Sequence, residues 1–140
     1  MKKVFYTLIA ILTIQIGLAQ ASSEAKTYIK SSGIVEQIEA YKSQVIPIIL
    51  EKNLEDFNKE FEKVVASYIS DLENIMDENF EVEDLKKYNE NFAANATATE
   101  LNPKDIDTLQ QKTIAAQEKF GQSLQEVVEK YGDQEILGQM

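Results

Sequence analysis

Residues 49–78 decide the fold, and they read ILEKNLEDFNKEFEKVVASYISDLENIMDE. Apolar side chains recur at every third or fourth position, and charged side chains fill many of the positions between them. This spacing puts the apolar side chains on one side of an α-helix, which has 3.6 residues per turn. The stretch therefore predicts one long amphipathic helix with a continuous apolar stripe from Leu50 to Met76. Glu55 and Lys59 add an i,i+4 ion pair in the favourable order.

Two shorter helices are predicted before the long one. Residues 24–31 and residues 34–45 both carry apolar side chains at helical spacing. Gly33 lies between them, and glycine readily takes the left-handed conformation that ends a helix. Pro47 has no backbone amide hydrogen and clashes with the preceding turn of a helix. We therefore expect a kink or a short break at Ile46-Pro47.

A further helix follows the long one, and its start has a recognisable pattern. With Glu81 as the N-cap residue, Phe80 and Leu85 stand at the two positions that pack together as a hydrophobic staple. The sequence thus predicts a helix that begins just after this cap and continues towards the small residues 93–98.

The last helix is predicted over about 103–131. Asn102 is a good N-cap residue, Pro103 suits the first helical position, and Leu101 would form a staple with Ile106. Apolar side chains at helical spacing then continue along the whole segment.

These elements together predict an all-α fold. No stretch shows the alternation that is typical of a strand, and the chain contains no glycine-rich phosphate loop and no internal repeat. We expect residues 22–140 to form a single, bundle-like domain of four or five helices. Because the connecting segments are short, the long helix and the last helix are expected to pack antiparallel.

The N-terminus has the three parts of a secretory signal peptide. Two lysines precede the apolar run 4–18, and small residues follow it. The run is shorter than the roughly 20 apolar residues of a membrane-spanning helix. We therefore expect residues 1–21 to be removed by cleavage after Ala19 or after Ala21. Because the chain has no cysteine for a lipid anchor, the product is expected to be a soluble protein of the periplasm or the extracellular space and not a lipoprotein.

Charge and composition exclude several classes of function. Residues 22–140 contain 12 lysines and 24 acidic residues, a formal charge of −12. A strongly negative surface repels nucleic acids and anionic lipids, so we expect no nucleic-acid partner and no stable membrane anchor. The chain has no histidine and no cysteine, which excludes Ser-His-Asp and Cys-His catalysis and zinc sites built on those ligands. The sequence identifies no catalytic, cofactor-binding or metal-binding residue.

Acidic residues are concentrated between Asp71 and Asp84, where a calcium loop could start at Asp77. The sixth place of such a loop needs glycine and the twelfth needs glutamate, but here they are Val82 and Tyr88. We therefore expect a solvated helix-turn-helix surface at this point, with weak binding of a divalent cation as the alternative.

Most aromatic side chains fall on the apolar stripes, and we expect them to pack in the core. The alternative is an aromatic groove between helices that accepts an apolar ligand or a partner helix. The candidate contact residues for such a groove are Phe57, Phe61, Tyr68, Tyr88, Phe92 and Phe120.

One short motif concerns modification. Asp107-Thr108-Leu109 resembles the three-residue O-glycosylation motif of exported Bacteroidota proteins, with Thr108 as the acceptor. The alternative is that Thr108 is only a surface residue of the last helix.

Four stretches resemble one known family. They read YIKSSGIVEQ at 28–37, QVIP at 44–47, FEVEDL at 80–85 and AQEKFGQ at 116–122. In this order they are similar to features of the exported helical proteins grouped as domain of unknown function 2059, and the likeness covers residues 25–136. The resemblance implies an all-helical exported domain. It implies no activity, because the family has none assigned.

The chain departs from this family at its most recognisable motif, an aromatic pair followed by serine-proline-x-glycine-lysine. Phe92 and Leu101 match that region, but Ala96, Ala98 and Thr99 replace the proline, glycine and lysine. If the motif is a functional turn, we expect this chain to have lost it or to have replaced it with helix.

The function expected from these patterns is non-enzymatic binding of a partner protein or an apolar ligand through the helical faces. Two alternatives stay open. A carboxylate- or metal-dependent hydrolase would need a cleft that holds two or more acids. A self-associating structural protein would use an exposed part of the stripe from Leu50 to Met76.

Overall fold

The computed structural model describes residues 20–139, so the predicted signal peptide lies outside the described residues except for its last two positions. The main helices are α1 (Ser23–Ser31), α2 (Ile34–Val45), α3 (Leu54–Asn79), α4 (Val82–Asn95) and α5 (Ile106–Tyr131). A short helix α6 (Gln134–Leu137) follows, and two 3-10 turns occupy Ile46–Ile48 and Glu51–Asn53. Among residues 20–139 there is no strand, and the prediction of a single all-α, bundle-like domain is confirmed.

Helices α3 and α5 form the long antiparallel pair that the sequence predicts. Three ion pairs cross between them. From one pair to the next, the residue number on α3 increases by as much as the residue number on α5 decreases. The pairs are Glu60–Lys130 at 2.6 Å, Asp71–Lys119 at 2.7 Å, and Glu78–Lys112. Exposed ion pairs add little to stability, but this series shows that one register holds over most of the length of both helices.

The core contains side chains of all five main helices, and within it α1 packs on both α3 and α4. Phe57, Phe61 and Leu85 are the largest side chains that are fully buried. Phe80 and Leu85 both lie in the core on either side of the N-cap residue Glu81, so the predicted start of α4 is confirmed. Burying a side chain of this size contributes about 1.5–3 kcal/mol, which makes this cluster a main source of stability.

The apolar stripe of α3 faces this core. Its most buried members are Phe57, Phe61, Tyr68, Leu72, Ile75 and Met76. Other members of the stripe are half-buried against them. Every member of the stripe from Leu50 to Met76 is buried or half-buried. The alternative of self-association stays a prediction, but this stripe gives it no exposed apolar side chain.

The break predicted at Ile46-Pro47 is present as a 3-10 turn, but α3 begins at Leu54 and not near residue 49. The backbone of Ile49 is extended and pairs with Gly132 in an isolated bridge. The amide of Leu50 donates to the carbonyl oxygen of Tyr131 at 3.3 Å. These contacts with the end of α5 hold the chain out of helical conformation, which the local pattern could not show.

Helix α5 also begins later than predicted, at Ile106 with Asp105 as the N-cap residue. One carboxylate oxygen of Asp105 accepts hydrogen bonds from the amides of Asp107 at 3.0 Å and Thr108 at 3.1 Å. Ile106 is 58 % exposed, so the predicted staple with Leu101 does not form. The amide of Lys104 instead donates to the carbonyl oxygen of Asn79 at 2.8 Å and keeps this segment outside the helix.

The described helices include none with the length and apolar character that crossing a membrane requires.

Candidate functional site

The rings of Tyr68 on α3 and Phe120 on α5 stack at the middle of the long helix pair. Their centroids are 4.2 Å apart and their planes differ by 10°. Tyr68 is buried and Phe120 is half-buried. Stacked aromatic rings attract each other beyond the effect of buried area alone, and this pair lines two open spaces.

The first space is the α2–α5 groove. It has a volume of about 200 Å³ and is lined by Ile34, Gln37, Ile38, Tyr41, Tyr68 and Phe120. All six side chains are uncharged. Tyr41 is 39 % exposed and stands on the solvent side of α2. The groove is therefore an aromatic, charge-free opening that solvent reaches.

The second space is on the other side of the stacked rings, between α3 and α5. It has a volume of about 210 Å³ and is lined by Lys63, Val64, Ser67, Tyr68, Ala116, Phe120 and Ser123. Both helices that line it also carry the crossing ion pairs. Unlike the first space, its lining includes a charged side chain, that of Lys63.

The hydroxyl of Tyr68 is protonated at neutral pH. Burial raises the pKa of Tyr68 above its usual value of 10.0, and a hydrogen bond from Gln117 opposes part of this effect. A protonated tyrosine hydroxyl both donates and accepts hydrogen bonds. Tyr68 therefore supplies an uncharged hydroxyl group at the groove.

The volumes of the two spaces help to distinguish a site for a small molecule from a site for a side chain of a partner protein. Small-molecule sites are usually cavities of about 300–1,000 Å³ that enclose most of the ligand. Each of the two spaces is smaller than that and open to solvent. A shallow pocket of this kind is suited to one anchoring side chain from a partner protein, since such anchors account for much of the energy of protein interfaces.

The other candidate aromatic residues lie elsewhere. Tyr88 and Phe92 of α4 form a separate, half-buried cluster with Tyr28 of α1, with centroids 5.1 Å apart for Tyr28–Tyr88 and 6.0 Å apart for Tyr88–Phe92. Phe57 and Phe61 are 0 and 1 % exposed and belong to the core, which agrees with the expectation for most aromatic side chains and excludes these two from the alternative of a groove. Of the six candidates, only Tyr68 and Phe120 lie at the α2–α5 groove.

The acidic segment forms no calcium loop. The carboxylate of Asp77 accepts hydrogen bonds from the amide and the hydroxyl of Ser22. Val82, which would stand at the sixth place of such a loop, is the first residue of α4. Within residues 20–139, no three acidic side chains are placed to hold a metal ion together.

A polar cavity between α4 and the segment that follows it contains two acids. It has a volume of about 230 Å³ and is lined by Asp84, Lys87, Asn91, Thr99, Glu100 and Asn102. Its lining side chains are all exposed. A catalytic acid usually needs a raised pKa, which burial provides. These exposed acids lack that burial.

The carboxyl groups with shifted pKa values all shift in the direction that favours the ionised form. Lys59 lowers the pKa of Glu55, and Lys130 followed by Tyr131 lowers that of Glu60. The pKa of Asp105 is lowered by its hydrogen bonds at the start of α5. These groups are suited to ion pairing and helix capping, not to donating a proton.

The candidate acceptor Thr108 lies in the first turn of α5 and is half-buried. Its amide donates to Asp105 at 3.1 Å. Leu109, the next residue, packs against the core. The motif therefore lies in a capped, regular helix, and O-glycosylation stays a prediction.

Sequence reasoning missed the residues that α2 brings to the groove, chiefly Gln37 and Tyr41. Tyr41 belongs to the apolar side of α2 in the sequence pattern, but the pattern does not show that α2 lies beside Tyr68 of α3 and Phe120 of α5. Gln37 carries no periodic signal.

Comparison of the chain with protein-family models, with curated proteins and with solved structures finds no match. The resemblance to domain of unknown function 2059 accordingly stays a prediction.

Proposed function

We propose that this protein is an exported, non-catalytic binding protein whose α2–α5 groove accepts an apolar or aromatic side chain of a partner protein. The observation that supports this most is the stacked pair of Tyr68 and Phe120 beneath an open groove without charged residues. Centres of protein interfaces are enriched in aromatic residues and depleted of charged ones. The groove has this composition in a chain of which 27 % is charged.

A carrier of an apolar ligand is the second candidate. It would need a cavity that encloses most of its ligand, whereas the α2–α5 groove is shallow and holds about 200 Å³. The groove therefore favours a single side chain over a lipid-like molecule.

The hydrolase alternative is supported by one feature, the two carboxylates of Asp84 and Glu100 in the polar cavity. The exposed lining of this cavity argues against a hydrolase, because water is not excluded from the two carboxylates. A hydrolase would lose its activity in Asp84→Asn or Glu100→Gln, which a panel of ester and glycoside substrates would detect.

The binding proposal can be tested by NMR titration of ¹⁵N-labelled residues 22–140 with 4-methylphenol, which mimics a tyrosine side chain. We expect saturable amide shifts at Gln37, Tyr41 and Phe120. Tyr41→Glu should weaken this binding at least about tenfold, since a carboxylate placed at an apolar contact must be desolvated.

Val82→Glu is the matched control, because Val82 is 45 % exposed on α4 and lies away from the groove lining. It should leave the binding of 4-methylphenol unchanged. Shifts centred on Tyr88 and Phe92 would move the site to the other aromatic cluster and contradict the proposal. Stoichiometric binding of a fluorescent fatty acid would instead support the carrier.

Export is tested separately by sequencing the N-terminus of the secreted protein. A chain that begins at Gln20 or at Ser22 supports cleavage at one of the two predicted positions. Both products keep Ser22, which caps α1. A protein that still begins at Met1 or Lys2 would contradict cleavage.

A further inference from the structure

Ser22 is held by four hydrogen bonds to parts of the chain that follow it. Its amide and its hydroxyl donate to the two carboxylate oxygens of Asp77 on α3. Its hydroxyl oxygen accepts from the amide of Ala25 at 3.1 Å, and its carbonyl oxygen accepts from the amide of Lys26 at 3.1 Å. None of these bonds needs a residue before Ser22, so a chain that begins at this residue keeps all of them.

The carboxylate of Asp77 has hydrogen-bond donors but no cation next to it. Asp77 is half-buried near the end of α3. Between residues 20 and 139, the lysines form their ion pairs with other acids and none with Asp77. A carboxylate that is partly removed from water loses hydration, and a cation at hydrogen-bond distance compensates for this loss. A positive charge on Ser22 would therefore strengthen its contact with Asp77.

One of the two predicted cleavage positions produces that charge. Hydrolysis of the peptide bond between Ala21 and Ser22 consumes one water molecule, leaves a carboxylate on Ala21 and frees the nitrogen of Ser22 as an amine. An α-amino group is mostly protonated at neutral pH. Because this nitrogen already donates to Asp77, its protonation adds a positive charge to an existing hydrogen bond. Cleavage after Ala19 would instead put the ammonium group on Gln20, which is exposed.

We infer that the signal peptide is removed after Ala21 and that the new ammonium group of Ser22 forms an ion pair with Asp77. Exposed ion pairs contribute little, partly because two mobile side chains must be ordered. Here hydrogen bonds already hold the nitrogen of Ser22 at a half-buried carboxylate, so this cost is small. Removal of the signal peptide therefore makes the folded domain more stable. This inference rests on the export that the proposed function includes.

Two effects oppose this gain, and both are smaller. Ala21 packs against the core, and its removal loses that contact, but one methyl group buries little apolar area. The positive end of the α1 dipole repels an ammonium group at the N-terminus of the helix. Glu24 lies in the first turn of α1, and its negative charge offsets this repulsion together with that of Asp77.

The first measurement is the N-terminal sequence of the protein that a bacterial host exports from the full chain. Ser22 as the first residue supports the inference. Gln20 as the first residue would overturn it and leave export intact. A chain that still begins at Met1 would contradict export itself, so the failure of the inference and the failure of the proposed export give different sequences.

The second measurement isolates the charge. Residues 22–140 are released from a fusion protein by a protease that leaves no extra residue, and part of the sample is acetylated enzymatically at the α-amino group of Ser22 alone. The acetyl group keeps one N–H donor and occupies the place of the Ala21 carbonyl, so the main change is the loss of the charge. Since charge-assisted hydrogen bonds are about twice as strong as neutral ones, the free form should melt roughly 3–6 °C above the acetylated form.

Two variants assign this difference in melting temperature to Asp77. Asp77→Asn should abolish it, because an amide has no charge to pair with the ammonium group. Glu78→Gln is the matched control, since it changes the neighbouring acid, which pairs with Lys112, and it should leave the difference intact. Equal melting temperatures of the free and acetylated forms, or a difference that survives Asp77→Asn, would overturn the ion pair. The comparison of the two wild-type forms decides the question even if Asp77→Asn does not fold.

These measurements are independent of the groove. Binding of 4-methylphenol tests the groove of the proposed function and does not involve Ser22 or Asp77, which are not among its lining residues. A chain that begins at Ser22 and gains stability from its free ammonium group, but does not bind 4-methylphenol, supports the ion pair and rejects the groove.

Discussion

The amide and the hydroxyl of Ser22 both donate hydrogen bonds to the carboxylate of Asp77, which is 55 residues away in the sequence. The oxygen of the same hydroxyl accepts a hydrogen bond from the amide of Ala25 at 3.1 Å and so caps α1. One serine therefore both starts α1 and attaches it to the last turns of α3. This contact holds the first described residues of the domain against α3.

Asp77→Asn should destabilise the domain by about 1–2 kcal/mol, because an amide has one acceptor oxygen for two donors and the hydrogen bonds to a charged acceptor are lost. Urea denaturation followed by circular dichroism measures this. Glu78→Gln is the control, since it removes only an exposed ion pair with Lys112, which is worth less than about 1 kcal/mol. Equal losses for both variants would show that the Ser22–Asp77 contact contributes no more than a surface ion pair.

Leu85→Ala should be the most damaging of the substitutions considered, with a loss of about 2–5 kcal/mol. Leu85 is fully buried beside Phe80, so its removal leaves a cavity in the core. Val82→Ala, one turn earlier and 45 % exposed, should change the free energy of unfolding by less than about 0.5 kcal/mol. A small effect of Leu85→Ala would mean that the core collapses around the missing side chain.

Two glycines should respond in opposite directions to replacement by alanine. Gly121 lies inside α5 with open space around its Cβ position, so Gly121→Ala should stabilise the monomer by about 0.5–1 kcal/mol. A Cβ at Gly132 would lie 2.6 Å from the carbonyl oxygen of Val128, so Gly132→Ala should destabilise it. Thermal unfolding at low protein concentration checks both, and the same sign for the two variants would contradict the packing at the end of α5.

Acid should destabilise the domain partly through Asp105. Its pKa in the folded protein lies below the ordinary value of 3.8 because it accepts hydrogen bonds from Thr108. A lowered pKa means that the ionised group stabilises the fold above pH 3.8, and that this contribution is lost as the pH falls through the folded-state pKa. The pKa of Glu60 is lowered by Lys130 and Tyr131, so this group adds a loss of the same sign.

Asp105→Asn separates the charge of this side chain from its capping role. Asparagine also caps helices well, so this variant should melt close to the wild-type temperature at neutral pH and lose less stability between about pH 5 and pH 2. Asp105→Ala removes the cap itself and should lower the melting temperature at neutral pH by roughly 3–5 °C. If the stability of Asp105→Asn depends on pH in the same way as that of the wild type, the Asp105 carboxylate does not contribute to the destabilisation by acid.

Local patterns were sufficient for most of the secondary structure. Gly33 has a φ of +78° between α1 and α2, which agrees with its predicted role between two helices. The break at Pro47 and the staple of Phe80 with Leu85 also follow from residues close in sequence. Periodicity and capping depend on neighbours a few positions away, so the sequence alone could predict them.

Contacts between residues far apart in the sequence determined the features that local patterns did not predict. The starts of α3 and α5 moved because Leu50 and Lys104 bond to carbonyl groups on other helices. Tertiary contacts also separated the candidate aromatic residues into two groups. Phe57 and Phe61 are buried in the core, whereas the rings of Tyr68 and Phe120 stack on each other.

The sequence by itself determined the all-α class, the antiparallel pairing of the long helices and the strong negative charge. Only the tertiary structure decided which aromatic rings meet at a groove. A helical pattern shows that side chains share a face, but the position of α2 beside Tyr68 of α3 and Phe120 of α5 determines what that face meets.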